Sequence, residues 1–216
     1  MPDTLRDRLR LAYSMDVERR DVRELPDWKL AERGRFLEWL RNEGLCKLLE
    51  IGSGVGRDAA YFKEHGMRIT CIDLSPEMVR CCQRKGLAAR VMDVANLCFD
   101  HATFDAVYSI NCLLHVPKDE LPAALAEIRR VLRPGGIFYY GTWGGFDHEG
   151  IFEEDHLQPP RLFSFHSDVE LQKLARGCFE ILEFRSEAHH PEESRFRFQS
   201  LLLRPIPADP IIHGGK

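Results

Sequence analysis

The chain has 216 residues, 44% of them hydrophobic and 30% charged, with a formal net charge of −4; this suits one globular domain with its own core and argues against a generally nucleic-acid-binding surface. Seven cysteines are scattered without a CxxC pair; Cys46, Cys71, Cys98 and Cys112 lie in or beside apolar runs, where a reduced thiol acts as a small hydrophobe, and an odd count without a framework fits a reducing compartment. The charged start "MPDTLRDRLRLAY" has no apolar leader and no run reaches membrane-spanning length, so the expectation is a cytoplasmic protein without a membrane partner.

Helix and strand patterns alternate along the chain. "DWKLAERGRFLEWLRNEG" reads as an amphipathic helix carrying Leu30, Leu37 and Leu40. "CKLLEI" is a short buried strand, and "RDAAYFKEHG" a helix closed by Gly66. "MRITCID" is the second strand; in "SPEMVRCCQRKG" Ser75 is placed to cap, Pro76 takes the first helical position and Gly86 ends the helix. "AARVMD" and "FDAVYSI" are the third and fourth strands. "DELPAALAEIRRVLRPGG" sets Leu121, Leu125, Ile128 and Leu132 on one helical stripe, and "IFYYGTW" is the fifth strand. Ser167 and Glu170 form a capping-box pair opening "DVELQKLAR", and "FEILEFR" with "RFRFQSLLLR" predicts a terminal hairpin. The proline-broken tail 206–216 is expected to be disordered.

Such alternation implies an α/β domain with a parallel sheet between helical layers, doubly wound in the Rossmann-like manner. Ligands of these sheets bind outside the carboxyl ends of the strands, which is where "LLEIGSGVGRDAAYF" places its glycines. A dinucleotide fingerprint needs G-x-G-x-x-G, but position 57 is Arg57 and the third glycine is Gly56. Glu50, directly before the turn, would repel a pyrophosphate and suits a ligand end carrying an ammonium. The glycines let the chain turn tightly and a ligand approach the main chain. Asp73, ending the second strand, is placed to accept both hydroxyls of a ribose.

With these residues the sequence resembles the class I S-adenosylmethionine-dependent methyltransferases. "LLEIGSGVGRD", "CIDLSPEMV", "VMDV", "FDAVYSINCLLHV" and "EIRRVLRPGGIFYYGT" are similar to that family's successive motifs and cover Leu48 to Thr142 in order. The resemblance implies a three-layer fold with a seven-stranded sheet, the last strand antiparallel, in agreement with the terminal hairpin. It implies S-adenosyl-L-methionine as cofactor and S-adenosyl-L-homocysteine as product. By it, Gly52, Ser53 and Gly54 would line the methionine end and Glu50 would reach the amino group. Asp73 would hold the ribose; Leu74 and Met78 would pack beside the adenosine; Asp93 would accept from the adenine amino group, with Val94 over the ring. Asn111 would offer its main-chain carbonyl near the sulfonium. Residues 1–45 would form an N-terminal helical cap, with Tyr13 and Trp28 closing over the cofactor, and 46–205 the cofactor-binding domain.

A methyl on a sulfonium needs an acceptor held in line in a dry site, helped by a base if the acceptor carries a proton. Catalytic candidates are His115, after the fourth strand; Trp143, as the wall of an apolar or cationic acceptor; and His156. Tyr139 and Tyr140 point to opposite faces, so at most one meets the pocket. The segment 144–166, "GGFDHEGIFEEDHLQPPRLFSFH", reads as a structureless lid over the acceptor, with His156 and Arg161 as contacts. His148, Asp155 and His156 match no metal-ligand spacing, and "HHPEESR" at 189–195 reads as a turn. The acceptor is expected to be a small molecule methylated on N or O. Alternatives are a tRNA or RNA methyltransferase, using Arg129, Arg130 and Arg133; a non-catalytic S-adenosylmethionine-binding protein; and, outside the family, a nicotinamide dehydrogenase, against which Arg57 and "DLSPEM" argue.

Overall fold

The computed structural model describes residues 4–151, 155–189 and 195–207. Three helices come first: α1 (Leu5–Ser14), α2 (Val17–Val22) and α3 (Asp27–Asn42). Strands and helices then alternate: β1 (Lys47–Ile51), α4 (Arg57–Glu64), β2 (Arg68–Asp73), α5 (Pro76–Arg84), β3 (Ala88–Val91) and β4 (Phe104–Ile110). After a short 3₁₀ turn (Leu113–His115) come α6 (Leu121–Val131), β5 (Leu132–Gly144), β6 (His148–Ile151), β7 (Leu162–Phe165), α7 (Asp168–Arg176), β8 (Phe179–Glu187) and β9 (Arg197–Pro205).

One seven-stranded sheet has the order β3-β2-β1-β4-β5-β9-β8. The β1–β2, β1–β4, β2–β3 and β4–β5 pairs are parallel, while β9 runs antiparallel to both neighbours, as the terminal hairpin predicts. All seven residues of β4 are buried, the signature of a central strand covered on both faces. One face packs Leu49, Val107, Phe138 and Tyr140 under Leu125 and Ile128 of α6 and Leu171 of α7. The other packs Leu48, Tyr108, Ile137 and Tyr139 under Phe36 and Leu40 of α3 and Phe62 of α4.

Local signals account for the helix ends. The Ser75 hydroxyl accepts from the Met78 amide with Pro76 at the first helical position, and Ser167 accepts from the Glu170 amide. Three expectations need correction. Leu132 leaves the α6 stripe and opens β5, where it pairs with Phe104. Leu30 is 39% exposed; α3 instead buries Glu32, whose carboxylate takes the Tyr139 hydroxyl and guanidinium groups of Arg35 and Arg185. The 144–166 segment is not structureless: β6 and β7 pair antiparallel across it, His148 opposite Phe165 and Ile151 opposite Leu162. Glu153 and Glu154, residues 190–194 of the turn reading and the tail from 208 lie outside the described residues. Among the described residues no helix is long and apolar enough to cross a membrane.

Candidate functional site

A cavity of about 470 Å³ lies at the carboxyl ends of β1, β2 and β4, a size ordinary for a small-molecule site. Its floor is the glycine loop after β1. The Gly52 and Ser53 amides donate to the Ile72 carbonyl at 2.9 and 3.1 Å, tying the loop to the end of β2. Gly52 and Gly54 have φ of +71° and +54°, left-handed values that glycine adopts without a Cβ penalty. A Cβ at Gly52 would fall 2.5 Å from Cβ and Sγ of Cys112, whereas one at Gly54 would meet nothing within 4 Å. Gly52 is therefore required by packing; Gly54 presents bare main chain to the cavity it lines.

Four polar residues around the strand ends line this space on the sheet side: Asp73, Glu50, Asp93 and Asn111. The two carboxylate oxygens of Asp73 accept the amides of Gly54 and Ser75, each at 2.9 Å, which fixes the side chain and leaves a lone pair on each oxygen for a ligand. Burial pushes its carboxyl up, against those two amides. Glu50 is buried, and its Oε2 has no hydrogen-bond partner among the described residues. Burial, reinforced by nearby Asp58, holds its carboxyl well above the usual range; Asp58 itself pairs with Lys29 and Arg33, both at 3.2 Å. Asp93 accepts the Ala95 amide at 2.9 Å and also the Arg6 guanidinium, which reaches on to Glu120. Asn111, at φ +53°, has a buried and unpartnered Oδ1.

The opposite wall comes from the N-terminal helices and the 144–166 segment. His115 is buried, its Nδ1 2.8 Å from the Leu162 carbonyl and its Nε2 2.7 Å from the Tyr13 hydroxyl. A carbonyl only accepts, so Nδ1 carries the proton and Nε2 accepts from Tyr13. Arg161 donates Nη1–H to the same Tyr13 oxygen at 2.7 Å and holds Asp155 through Nε and Nη2 at 2.9 and 2.6 Å. Both members of that ion pair are at most 7% exposed. Burial, with Arg161 close by, lowers the His115 pKa to about 3. Trp143 lines the cavity and packs on Trp28 and Phe198. His156 lines it too, exposed and 2.8 Å from Arg19.

Residues 49–140 match a family described as a methyltransferase domain. The phthiotriol/phenolphthiotriol dimycocerosates methyltransferase of Mycobacterium leprae is 30% identical over 171 residues, covering 75% of this chain and 56% of that protein. Norajmaline N-methyltransferase of Rauvolfia serpentina is 37% identical over 97 residues, covering 41% and 32%. The solved structure of Burkholderia thailandensis 1,6-didemethyltoxoflavin-N1-methyltransferase, with bound 1,6-didemethyltoxoflavin and S-adenosylhomocysteine, superposes with a TM-score of 0.69 at 25% identity, covering 92% of this chain and 88% of that one. Over residues 49–140 the chain carries a methyltransferase domain, on the fold of the class I S-adenosylmethionine-dependent methyltransferases. It spans about half the length, or less, of these two curated relatives.

The cavity fits S-adenosylmethionine, the methyl donor used on this fold, on its own chemistry. An orphaned buried carboxylate suits an ammonium, a doubly anchored aspartate suits a diol, and an open glycine suits a closely packed ligand. All ten residues predicted for the cofactor line it: Glu50, Gly52, Ser53, Gly54, Asp73, Leu74, Met78, Asp93, Val94 and Asn111. Met78 and Val94 also belong to the core, so the packing and binding readings coexist. The catalytic candidates His115, Trp143 and His156 line it as well. Neither Tyr139 nor Tyr140 does; each is absorbed into one face of the core. His148, Asp155 and His156 do not gather into a metal site among the described residues, and Asp155 is taken by Arg161. Arg130 and Arg133 are not a free basic group: they pair with Glu127 and Asp105, and Arg129 donates to the Ile206 carbonyl.

Several lining residues escape sequence reasoning. Lys29 and Arg57 line the cavity, as does Asp58, and Arg57 has no hydrogen-bonded partner among the described residues. Its place, the first residue of α4 after the glycines, was the available signal. Nothing local marks Asp155 as the partner of Arg161, or Arg6 as the partner of Asp93, 87 positions away.

Proposed function

We propose that the chain binds S-adenosyl-L-methionine in this cavity and transfers its methyl group to nitrogen or oxygen of a small molecule. One observation carries the reading: Glu50, with a buried and unpartnered carboxylate oxygen, and Asp73, with an anchored carboxylate, line one cavity across the glycine loop. Glu50 would take the ammonium and Arg57 suits the carboxylate of the methionine end, with Gly52, Ser53 and Gly54 against it. Asp73 would accept the ribose hydroxyls, Leu74 and Met78 would flank the adenosine, and Asp93 with Val94 would hold the adenine. The main-chain carbonyl of Asn111 would face the reacting end. When bound, S-adenosylmethionine supplies an electrophilic methyl on a sulfonium. The chain's own part is to bind, orient and exclude water: Trp143 and Phe163 would wall the acceptor end, with His115 and His156 lining the same cavity.

The relatives support a small acceptor, being named for methylation of phthiotriol and phenolphthiotriol dimycocerosates, of norajmaline and of 1,6-didemethyltoxoflavin. The arginines of α6 are committed to internal partners, which disfavours an RNA substrate. Seven free cysteines fit a reducing cytoplasm. Incubating the chain with methyl-labelled S-adenosylmethionine and a whole-cell extract, then separating small metabolites, tRNA and protein, tests the proposal. Label is expected in a small organic product; label only in tRNA or protein, or in nothing, would overturn it.

A further inference from the structure

Three segments far apart in sequence meet at one oxygen. Tyr13 comes from α1, His115 from the turn after β4, and Arg161 from just before β7, separated by 102 and 148 positions. The Tyr13 hydroxyl donates to Nε2 of His115 at 2.7 Å and accepts from Arg161 at 2.7 Å. A phenol oxygen has two lone pairs; Arg161 uses one. All three residues line the cavity that holds Glu50 and Asp73, so the second lone pair belongs to a hydroxyl at the ligand space. Behind it, His115 has its other nitrogen committed to the Leu162 carbonyl, which leaves Nε2 as the only proton acceptor on the ring.

We propose that the Tyr13 oxygen takes the proton of the methyl acceptor while passing its own proton to His115, and that the acceptor atom is a hydroxyl oxygen or a weakly basic, proton-bearing nitrogen. The inference rests on the methyl-transfer reading above and narrows it. The acceptor's lone pair forms the new bond to the methyl carbon as the electron pair of the carbon–sulfur bond stays on sulfur. The acceptor's proton then goes to Tyr13 Oη as the Tyr13 proton goes to His115 Nε2. One positive charge disappears at sulfur and one appears on the imidazole.

The surroundings set the acceptor class. The groups facing this dyad are Arg20 of α2, whose guanidinium lies 4.7 Å from the Tyr13 ring centre, Arg161 at 4.9 Å from it, Asp155 behind Arg161, Cys112 after β4, and Asp73 across the cavity. Two cations near a buried ring make an imidazolium costly, in line with a pKa lowered to about 3. The ring is thus uncharged, with Nε2 unprotonated, across neutral pH, but a weak base. It can receive the strongly acidic proton that a hydroxyl or an amide-like nitrogen acquires on methylation. It cannot hold the proton of an ordinary alkylammonium.

The test uses the full chain as wild type, Tyr13→Phe, His115→Asn and the double variant. Single-turnover transfer from methyl-labelled S-adenosylmethionine into a small-metabolite extract is measured at pH 7 and 9.5, and S-adenosylhomocysteine affinity by calorimetry. A positioned base contributes roughly 10²–10⁴-fold. Each single variant is therefore expected to lose about 100-fold or more at pH 7, with homocysteine-adduct affinity within about threefold of wild type. The double variant is expected to be no slower than the worse single, because the two groups act as a unit. The deficit is expected to narrow at pH 9.5, where solvent hydroxide is more abundant and can take the acceptor's proton in place of the missing base. Nitrogen NMR of the S-adenosylhomocysteine complex is expected to show the Nδ1–H tautomer at His115, with an Nε2 resonance that moves in Tyr13→Phe. Transfer by Tyr13→Phe within about threefold of wild type, additive losses, or loss of S-adenosylhomocysteine affinity together with transfer would each overturn the proposal. Labelled alkylamines as the sole products would overturn the acceptor class. A wild-type chain that binds S-adenosylhomocysteine but labels nothing would defeat the methyl-transfer reading itself, and this proposal with it.

Discussion

The two walls of the cavity are built in opposite ways. On the β1–β2 side, Glu50, Gly52, Gly54 and Asp73 come from one short stretch and are positioned by main-chain bonds: loop amides to Ile72, and the amides of Gly54 and Ser75 to Asp73. On the other side, Tyr13, His115, Arg161 and Asp155 are held by one another's side chains. The first wall exists whenever the sheet is folded. The second is complete only with α1, the turn after β4 and the stretch before β7 together over the sheet.

The largest expected effect falls on the side-chain wall. Arg161→Ala leaves the Asp155 carboxylate buried and unpaired, and breaking such a pair costs roughly 3–5 kcal/mol. At about 2–4 °C per kcal/mol for a chain of this size, thermal unfolding should shift down by on the order of 10 °C. A shift below a few degrees would mean that water already reaches the pair and that the two walls are less different than described. Next, Asp73→Ala removes two charge-assisted bonds to a ribose, each worth roughly 1.5–3 kcal/mol; calorimetry with S-adenosylhomocysteine should show about 100-fold weaker binding or worse.

The paired glycine variants sharpen the comparison within the main-chain wall. Both carry the left-handed penalty of roughly 1–2 kcal/mol. Gly52→Ala adds overpacking against Cys112, typically 1–3 kcal/mol, and should cost stability measured by denaturant unfolding. Gly54→Ala has open space for its methyl in the fold and should instead lose ligand affinity beyond its smaller stability loss.

Glu50 offers a smaller, pH-dependent effect. Its carboxyl is raised by burial when the cavity holds no cation, and an ammonium beside it favours the charged form. Binding must then release a proton, so affinity rises with pH until the raised value is passed and is flat above it. Calorimetry in buffers of different ionisation heat should detect the release, and Glu50→Gln should abolish it. The smallest effect belongs to Arg6→Ala: its bridges to Asp93 and Glu120 are made by a side chain 46% exposed, and such surface pairs are worth about 0–1 kcal/mol.

The same contrast explains what the sequence could disclose. Motifs that act through their own backbone are legible: Glu50 to Gly56, Asp73 with Ser75 and Pro76, and the all-buried β4 sit where pattern and capping place them. Errors arise where packing between distant elements overrides local pattern. Leu30 yields the buried face of α3 to Phe36 and Glu32, because Glu32 finds Tyr139, Arg35 and Arg185 there. The β6–β7 pair hides in a segment whose apolar residues show no long alternation. The Tyr13–His115–Arg161 cluster has no local signature, since each residue alone reads equally well as packing or as a surface contact.

The central claim is that this cavity holds an adenosyl ligand with an ammonium end by way of Glu50 and Asp73. Isothermal calorimetry of the purified full chain against S-adenosylhomocysteine and, in parallel, NAD tests it most directly. The account predicts saturable S-adenosylhomocysteine binding with proton release, lost in Asp73→Ala, and no NAD binding; NAD binding, or S-adenosylhomocysteine binding untouched by Asp73→Ala, would contradict it.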